Sequence, residues 1–157
     1  MQNNLKVQPL QKKKLIIKNK NKMNTPEIIE HLKPNEIFVF GSNEAGIHGG
    51  GAAKTAQEKF GAIYGIPFGL MGQSFAIPTK DEKLKTLLLS NIQNYLVLFI
   101  KFAIDNPQLN FYLTKIGCGL AGYTTNNIKS ILWKAVDLAT DNGELPQNII
   151  IPIEFER

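Results

Sequence analysis

The chain reads Ile37-Phe38-Val39-Phe40-Gly41-Ser42-Asn43-Glu44-Ala45-Gly46-Ile47-His48-Gly49-Gly50-Gly51-Ala52-Ala53-Lys54 at its first bulky apolar segment. Residues 37–40 are apolar on both faces, which predicts a buried strand. A glycine-rich loop follows, and a helix is predicted over residues 54–60. Glycine lets the backbone approach a ligand closely, and the free amide groups at a helix N-terminus attract an anion. This stretch therefore predicts a strand, an anion-binding loop and a helix.

A second stretch has the same arrangement. It reads Phe111-Tyr112-Leu113-Thr114-Lys115-Ile116-Gly117-Cys118-Gly119-Leu120-Ala121-Gly122-Tyr123-Thr124. A strand is predicted over residues 111–116, and the helix after the loop has an apolar face made of Ile128, Ile131, Leu132, Ala135, Val136 and Ala139. One glycine run by itself is also compatible with a flexible turn, but two such loops can grip a pyrophosphate from both sides. The pair indicates a nucleotide-like ligand that carries a diphosphate.

The remaining segments predict strands and helices in alternation. We expect a short helix over residues 25–32, capped by Thr25 and Pro26, and an irregular stretch over residues 61–72. A strand over residues 75–78, a long helix over residues 83–105 and a final strand over residues 149–151 complete the pattern. Such alternation is typical of an α/β fold with a mostly parallel sheet covered on both faces. Ligands bind at the carboxyl ends of such strands, where both glycine loops and Lys80 are expected.

Composition predicts a single domain. The chain has 157 residues and one cysteine, which excludes an internal disulfide and is typical of a reducing, cytoplasmic protein. No apolar run is long enough for a membrane span, so no membrane partner is expected. No histidine or cysteine residues stand at metal-ligand spacing, and we expect neither a metal nor a cofactor.

The positive charge is concentrated at the start of the chain. Residues 1–22 contain seven lysines and no acidic residue, whereas residues 23–157 contain 11 basic and 13 acidic residues. We therefore expect a basic, disordered extension over residues 1–22 and the folded domain over residues 23–157. The alternative is that the extension is an arm that binds nucleic acid.

Two common nucleotide-binding motifs are excluded. The first loop lacks the Gly-Lys-Ser/Thr ending that holds a triphosphate and magnesium in a P-loop. It also departs from the dinucleotide fingerprint, because no acidic residue stands at the required distance after a second strand.

Taken together, the motifs resemble those of the macrodomain superfamily, whose members bind ADP-ribose. The first loop, from Asn43 to Ala53, is similar to that family's asparagine and triple-glycine loop. Thr79-Lys80 and Ile116-Gly117-Cys118-Gly119-Leu120 resemble the subclass that removes ADP-ribose from glutamate or DNA bases. A group of phage-encoded macro-like proteins is also similar, through Phe40-Gly41-Ser42-Asn43, His48-Gly49-Gly50-Gly51-Ala52-Ala53 and Ile77-Pro78-Thr79-Lys80-Asp81.

The resemblance implies a three-layer α/β/α fold that binds ADP-ribose or a derivative of it. The natural derivative and the oligomeric state stay open. The implied ligand-binding residues lie in the two glycine loops: Gly41, Ser42, Asn43, His48, Gly49, Gly50, Gly51, Ala52, Gly117, Cys118, Gly119, Leu120, Ala121, Gly122 and Tyr123. The aspartate with which the family binds adenine has no evident counterpart before the first strand.

The alternative function that the resemblance implies is hydrolysis of an ADP-ribosyl bond. In the hydrolase subclass the lysine at the position of Lys80 attacks the distal ribose, as a neutral amine. An acidic residue directly after the Gly-Cys-Gly-Leu run assists proton transfer there, but this chain has Ala121. Asp81 could take the place of that acid, as could Glu44 or His48, although none of the three stands at the acid's position.

Several of these residues also have simpler interpretations. Lys80 is either the nucleophile or a lysine that contacts phosphate or solvent. Asn43 binds a ribose or tolerates a turn conformation. Cys118 is a nucleophile or, more simply, a small buried residue. Tyr123 covers the ribose or plugs the core, and His48 is expected to be exposed between its glycine neighbours.

Overall fold

The computed structural model describes residues 23–157, so the predicted basic extension lies outside the described residues. This part of the chain has an α/β fold with one mixed sheet. Its strands are β1 (Glu36–Asn43), β2 (Gly69–Met71), β3 (Ser74–Lys80), β4 (Asn110–Leu113) and β5 (Ile149–Ile150). Its helices are α1 (Gly51–Lys59), α2 (Leu89–Asp105) and α3 (Thr125–Ala139), and a 3-10 turn covers Ile153–Phe155.

The sheet places the ends of its central strands side by side. Its strand order is β2-β3-β1-β4-β5. β1 pairs in parallel with β3 and with β4, β4 pairs in parallel with β5, and β2 is antiparallel to β3. The carboxyl ends of β1, β3 and β4 therefore meet at one edge, and a loop leaves each of them there.

β1 contributes to the core on both of its faces, as the sequence predicts. Ile37 and Val39 belong to the larger core, which includes the buried faces of α2 and α3. Phe38 and Phe40 belong to a smaller core with residues of α1. Successive side chains of a strand point to opposite faces of the sheet. The two cores therefore lie on opposite sides of β1.

The helix after the second loop confirms its predicted apolar face, and the structure adds where it begins. Thr124 is the N-cap of α3, and its side chain accepts a hydrogen bond from the Asn127 amide while the Asn127 side chain accepts one from the Thr124 amide. This reciprocal pair satisfies two donors that the helix itself cannot. The predicted apolar positions Ile128, Ile131, Leu132, Ala135 and Val136 are buried, and Ala139 is half-buried.

The predicted helix over residues 25–32 is wrong, because this part of the chain contains no helix. The Thr25 amide donates to the Ile151 carbonyl at 2.9 Å, and its hydroxyl donates to the Ile150 carbonyl at 2.9 Å. These two bonds attach Thr25 to a distant part of the chain, and the residues directly after it form no regular secondary structure. We call residues 23–35 the N-terminal segment; its Ile29 and Leu32 pack against the smaller core.

Further boundaries differ from prediction: β4 ends at Leu113 and not at residue 116, and α1 begins at Gly51 and not at residue 54. The long helix begins at Leu89 instead of Lys83, because Lys80 pairs with Thr86 in an antiparallel bridge and Leu84 has a left-handed φ of 64°. The stretch predicted to be irregular contains β2, which pairs with β3. The spacing of apolar residues predicts neither the bridge nor β2, because each depends on pairing with another segment of the chain.

Candidate functional site

A cleft of about 560 Å³ lies at the carboxyl edge of the sheet, between the two glycine loops. The loops approach each other closely: a Cβ at Gly50 would stand 3.5 Å from the Leu120 Cδ1 atom. The cleft is lined by many of the residues singled out from the sequence: Gly41, Ser42, Asn43, Gly49, Gly50, Gly51, Ala52, Lys80, Gly117, Gly119, Leu120 and Ala121. The two loops thus form the walls of one site.

Asn43 shapes the first loop with its own side chain. Its Nδ2 atom donates to the Ile47 carbonyl at 2.7 Å, and its Oδ1 atom accepts from the Ile47 amide at 3.0 Å. The neighbouring Ser42 hydroxyl donates to the Pro67 carbonyl. These bonds hold the start of the loop against the body of the protein while Asn43 still lines the cleft.

The first loop ends in free amide groups. α1 begins at Gly51, and its N-cap residue, Gly50, has no side chain that could accept a hydrogen bond from the first amides of the helix. The first helical bond runs from the Lys54 amide to the Gly50 carbonyl at 3.3 Å. The amides of Gly51, Ala52 and Ala53 therefore have no partner within the helix, and all three residues line the cleft. Such amides form a site for a negatively charged group.

The second loop is closed by two backbone bonds. The Tyr123 amide donates to the Gly117 carbonyl at 2.9 Å, and the Gly122 amide donates to the Gly119 carbonyl at 3.0 Å. Gly117 has a φ of 71°, and a Cβ there would lie 2.9 Å from Ile128 Cδ1. Within residues 23–157, no acceptor pairs with the amide of Leu120 or Ala121. The second wall of the cleft therefore also offers free donors.

The charged side chains of the cleft are all positive. Lys80 and Lys115 line it, and no carboxylate from residues 23–157 does. The Lys80 ammonium has no ion-pair partner in the described part of the chain. Lys115 pairs with Glu154 at 2.9 Å and with Glu27 at 3.0 Å. The hydrogen bonds to Glu154 and then to Glu27 raise the pKa of Lys115.

Asp81 and Glu44, the carboxylates considered as substitutes for the missing acid, form hydrogen bonds outside the cleft. The Asp81 Oδ1 atom accepts from the Lys83 amide at 2.8 Å and from the Lys85 amide at 2.9 Å, so it shapes the turn after β3. Glu44 accepts from the Tyr95 hydroxyl at 3.3 Å, and burial followed by the Glu44 charge raises the pKa of Tyr95. Neither carboxylate lines the cleft.

The prediction that His48 is exposed is wrong. Its side chain is 3% exposed and packs edge-on against Phe40 at 5.4 Å. Its Nε2 atom lies 3.0 Å from the Ile63 carbonyl, and its Nδ1 atom is buried without a hydrogen-bond partner. The ring packs against Phe40 of β1 in the interior of the protein, and His48 does not line the cleft.

Three other predicted residues also lie outside the cleft lining. The Tyr123 hydroxyl donates to the Leu87 carbonyl at 2.6 Å, and its ring packs against the larger core. Gly122 closes the second loop. Cys118 is half-buried, and burial raises the pKa of its thiol.

A second cavity of about 450 Å³ adjoins the cleft. It shares Ala52, Thr114, Lys115 and Gly119 with the cleft, and it is closed on its far side by residues 25–29 of the N-terminal segment. Cys118 belongs to this cavity. The sequence did not predict this wall or the role of Lys115, although that residue stands two positions before the first glycine of the second loop.

The described residues hold no cluster of three or more histidine, cysteine or acidic side chains that would bind a metal ion. Within residues 23–157, no helix combines the length and apolar character that crossing a membrane requires. Comparison of the chain with protein families, with curated proteins and with solved structures found no match.

Proposed function

We propose that the chain binds ADP-ribose, or a derivative of it, as a macrodomain-like protein. The observation that carries the proposal is the cleft itself. Its two walls are glycine loops with free amide groups, and its charged lining consists of Lys80 and Lys115 without any carboxylate from the described residues. A diphosphate is the part of the ligand that this combination fits.

The second cavity supports a ligand that extends beyond its diphosphate. It adjoins the cleft, and the small residues Ala52 and Gly119 line both. Its lining includes Ile29, Phe38 and Pro152, which suit the faces of a planar base. In this proposal the adenine end lies there, and the distal ribose lies toward Lys80.

The arrangement of the helices agrees with a three-layer fold. α2 and α3 belong to the core on one side of β1, and α1 belongs to the core on the other side. In this proposal the phosphate loops join the sheet to α1 and α3, as the resemblance implies.

A titration of the protein with ADP-ribose by calorimetry tests the proposal. We expect a dissociation constant in the micromolar range, which corresponds to about −7 to −9 kcal/mol. Absence of heat for the folded wild-type protein up to millimolar ligand would contradict the proposal.

Gly50→Glu provides the decisive variant. Gly50 has an extended φ of −153°, and a Cβ there makes only an ordinary contact with Leu120, so the variant is expected to fold. Its carboxylate would stand where the diphosphate binds, and binding should be lost. Gly50→Ala is the matched control and should bind nearly as well as the wild type. Equal binding by Gly50→Glu would remove the first loop from the site.

Hydrolysis of an ADP-ribosyl bond is the second candidate, and one observation favours it. Lys80 lines the cleft and has no ion-pair partner among the described residues. The missing element is an acid, because Ala121 lines the cleft at the position where the resembling hydrolases have one. General acid–base assistance is typically worth about a hundredfold to ten-thousandfold in rate.

We therefore expect weak or no release of ADP-ribose from an ADP-ribosylated glutamate or thymidine substrate. Ala121→Asp should raise the rate if the loop keeps its shape. Rapid wild-type turnover that disappears in Lys80→Ala would overturn this expectation and would assign the acid's role to another residue, such as Asp81 or Glu44.

A further inference from the structure

Lys115 stands where the cleft and the second cavity meet, and its side chain lines both. Its ammonium bonds to two carboxylates, at 2.9 Å to Glu154 Oε1 and at 3.0 Å to Glu27 Oε2. The side chain is 32% exposed. The Lys115 ammonium therefore lies within the site, although two carboxylates already balance its positive charge.

The two carboxylates are held differently. Glu154 belongs to the 3-10 turn, beside the fully buried Phe155, and its side chain is 39% exposed. Glu27 belongs to the N-terminal segment, which has no regular secondary structure, and its side chain is 77% exposed. Exposed ion pairs contribute little to stability. Glu27 is therefore the partner that an incoming anion displaces most easily.

The segment that carries Glu27 stays anchored without this ion pair. Thr25 is fastened by two hydrogen bonds to the carbonyls of Ile150 and Ile151. Release of Glu27 therefore frees a side chain and not the whole segment. The cost of moving the Lys115 ammonium from Glu27 to a ligand is correspondingly small.

A diphosphate offers Lys115 a stronger partner. It brings negative charge into a cleft whose lining contains no carboxylate from the described residues and whose loop amides hold the phosphate oxygens in place. The bonds of an ammonium to phosphate and to carboxylate are both charge-assisted. A diphosphate, however, carries more negative charge than the single carboxylate of Glu27, and its bond to Lys115 would be screened less inside the cleft than the exposed pair with Glu27 is.

We propose that Lys115 is a second cationic ligand of the diphosphate, and that Glu27 competes with the diphosphate for it. The inference rests on the proposed function. On binding, the ammonium exchanges Glu27 for a phosphate oxygen and keeps Glu154. Glu27 thus sets the affinity from outside the cleft.

Calorimetry with ADP-ribose at low ionic strength tests the proposal. Lys115→Gln should weaken binding by about tenfold or more, since it removes a hydrogen bond to a charged group. Lys115→Arg should retain most of the affinity. Glu27→Gln should tighten binding by about twofold to fivefold, because it removes an exposed competitor. In the Lys115→Gln background, Glu27→Gln should have no effect.

Glu30→Gln is the matched control, because Glu30 is exposed in the same segment and forms no ion pair within the described residues. It should leave affinity unchanged, which excludes a general effect of net charge. With wild-type binding intact, an unchanged or weaker affinity in Glu27→Gln, or an unchanged affinity in folded Lys115→Gln, overturns this inference alone. Failure of the folded wild type to bind overturns the proposed function and this inference together.

Discussion

The shape of the first loop depends on individual backbone positions. Gly46 has a φ of 71°, and its carbonyl accepts a hydrogen bond from the Gly65 amide at 2.8 Å. A Cβ at Gly46 would lie 2.5 Å from the Gly65 carbonyl carbon, a distance that only movement of the backbone could relieve. Gly49, three residues later, has neither restriction, because its nearest contact would be at 3.9 Å. The two glycines therefore have different roles in one loop.

We predict that Gly46→Ala lowers the free energy of unfolding by about 2 kcal/mol or more, from backbone strain and the steric clash together. Gly49→Ala should leave it unchanged or slightly raised, because the position accepts a side chain. Urea denaturation of both variants measures the difference. Equal stabilities would show that the loop does not pack on residues 63–66 as described.

At the scale of elements, α3 begins where the second loop ends. The Tyr123 amide closes the loop on Gly117, and the next residue, Thr124, caps the helix. The helix buries its apolar face against α2 and the sheet in the larger core. The cap thus joins the second glycine loop to a helix that is packed in the larger core.

We predict that Thr124→Ala lowers the free energy of unfolding by about 1 kcal/mol, because it removes the side-chain half of the capping box. Ser130→Ala, at an exposed position on the same helix, is the control and should change stability by less than about 0.5 kcal/mol. Chemical denaturation monitored by circular dichroism gives both values. A loss in the control as large as in Thr124→Ala would contradict the assignment of the cap.

At the scale of the whole molecule, the first described anchors of the chain are Asn24 and Thr25. Asn24 donates to the Glu156 carboxylate at 2.8 Å, and Thr25 bonds to Ile150 and Ile151. These contacts join the start of the domain to its end, and they hold the N-terminal segment along the second cavity.

We predict that deletion of residues 1–22 changes the melting temperature by less than about 2 °C, which for a chain of this size corresponds to at most about 0.5–1 kcal/mol. The reason is compositional: the deleted part is rich in lysine and asparagine, and Leu15-Ile16-Ile17 is its longest apolar run. Thermal denaturation of the two chains is the measurement. A drop of several degrees would assign the extension a structural role.

Local sequence was sufficient for the elements that bear on the candidate site. Residues 37–40 and 75–78 lie in strands, residues 54–59 lie in a helix, and the helix after the second loop buries most of its predicted apolar face. The reason is that apolar periodicity, glycine and capping residues act within a few positions of one another. Strands in parallel order then bring both loops to one edge of the sheet.

Only the tertiary structure decided the features that depend on distant partners. Thr25 bonds to Ile150, 125 positions away, and the segment after it lies along the second cavity instead of forming the predicted helix. His48 is buried because it packs against Phe40 and Ile63, and Lys115 lines the cleft while Glu27 and Glu154, from distant parts of the chain, both pair with it. Such contacts leave no local pattern in the sequence, since their free energy arises only when segments far apart in the chain are brought together by folding.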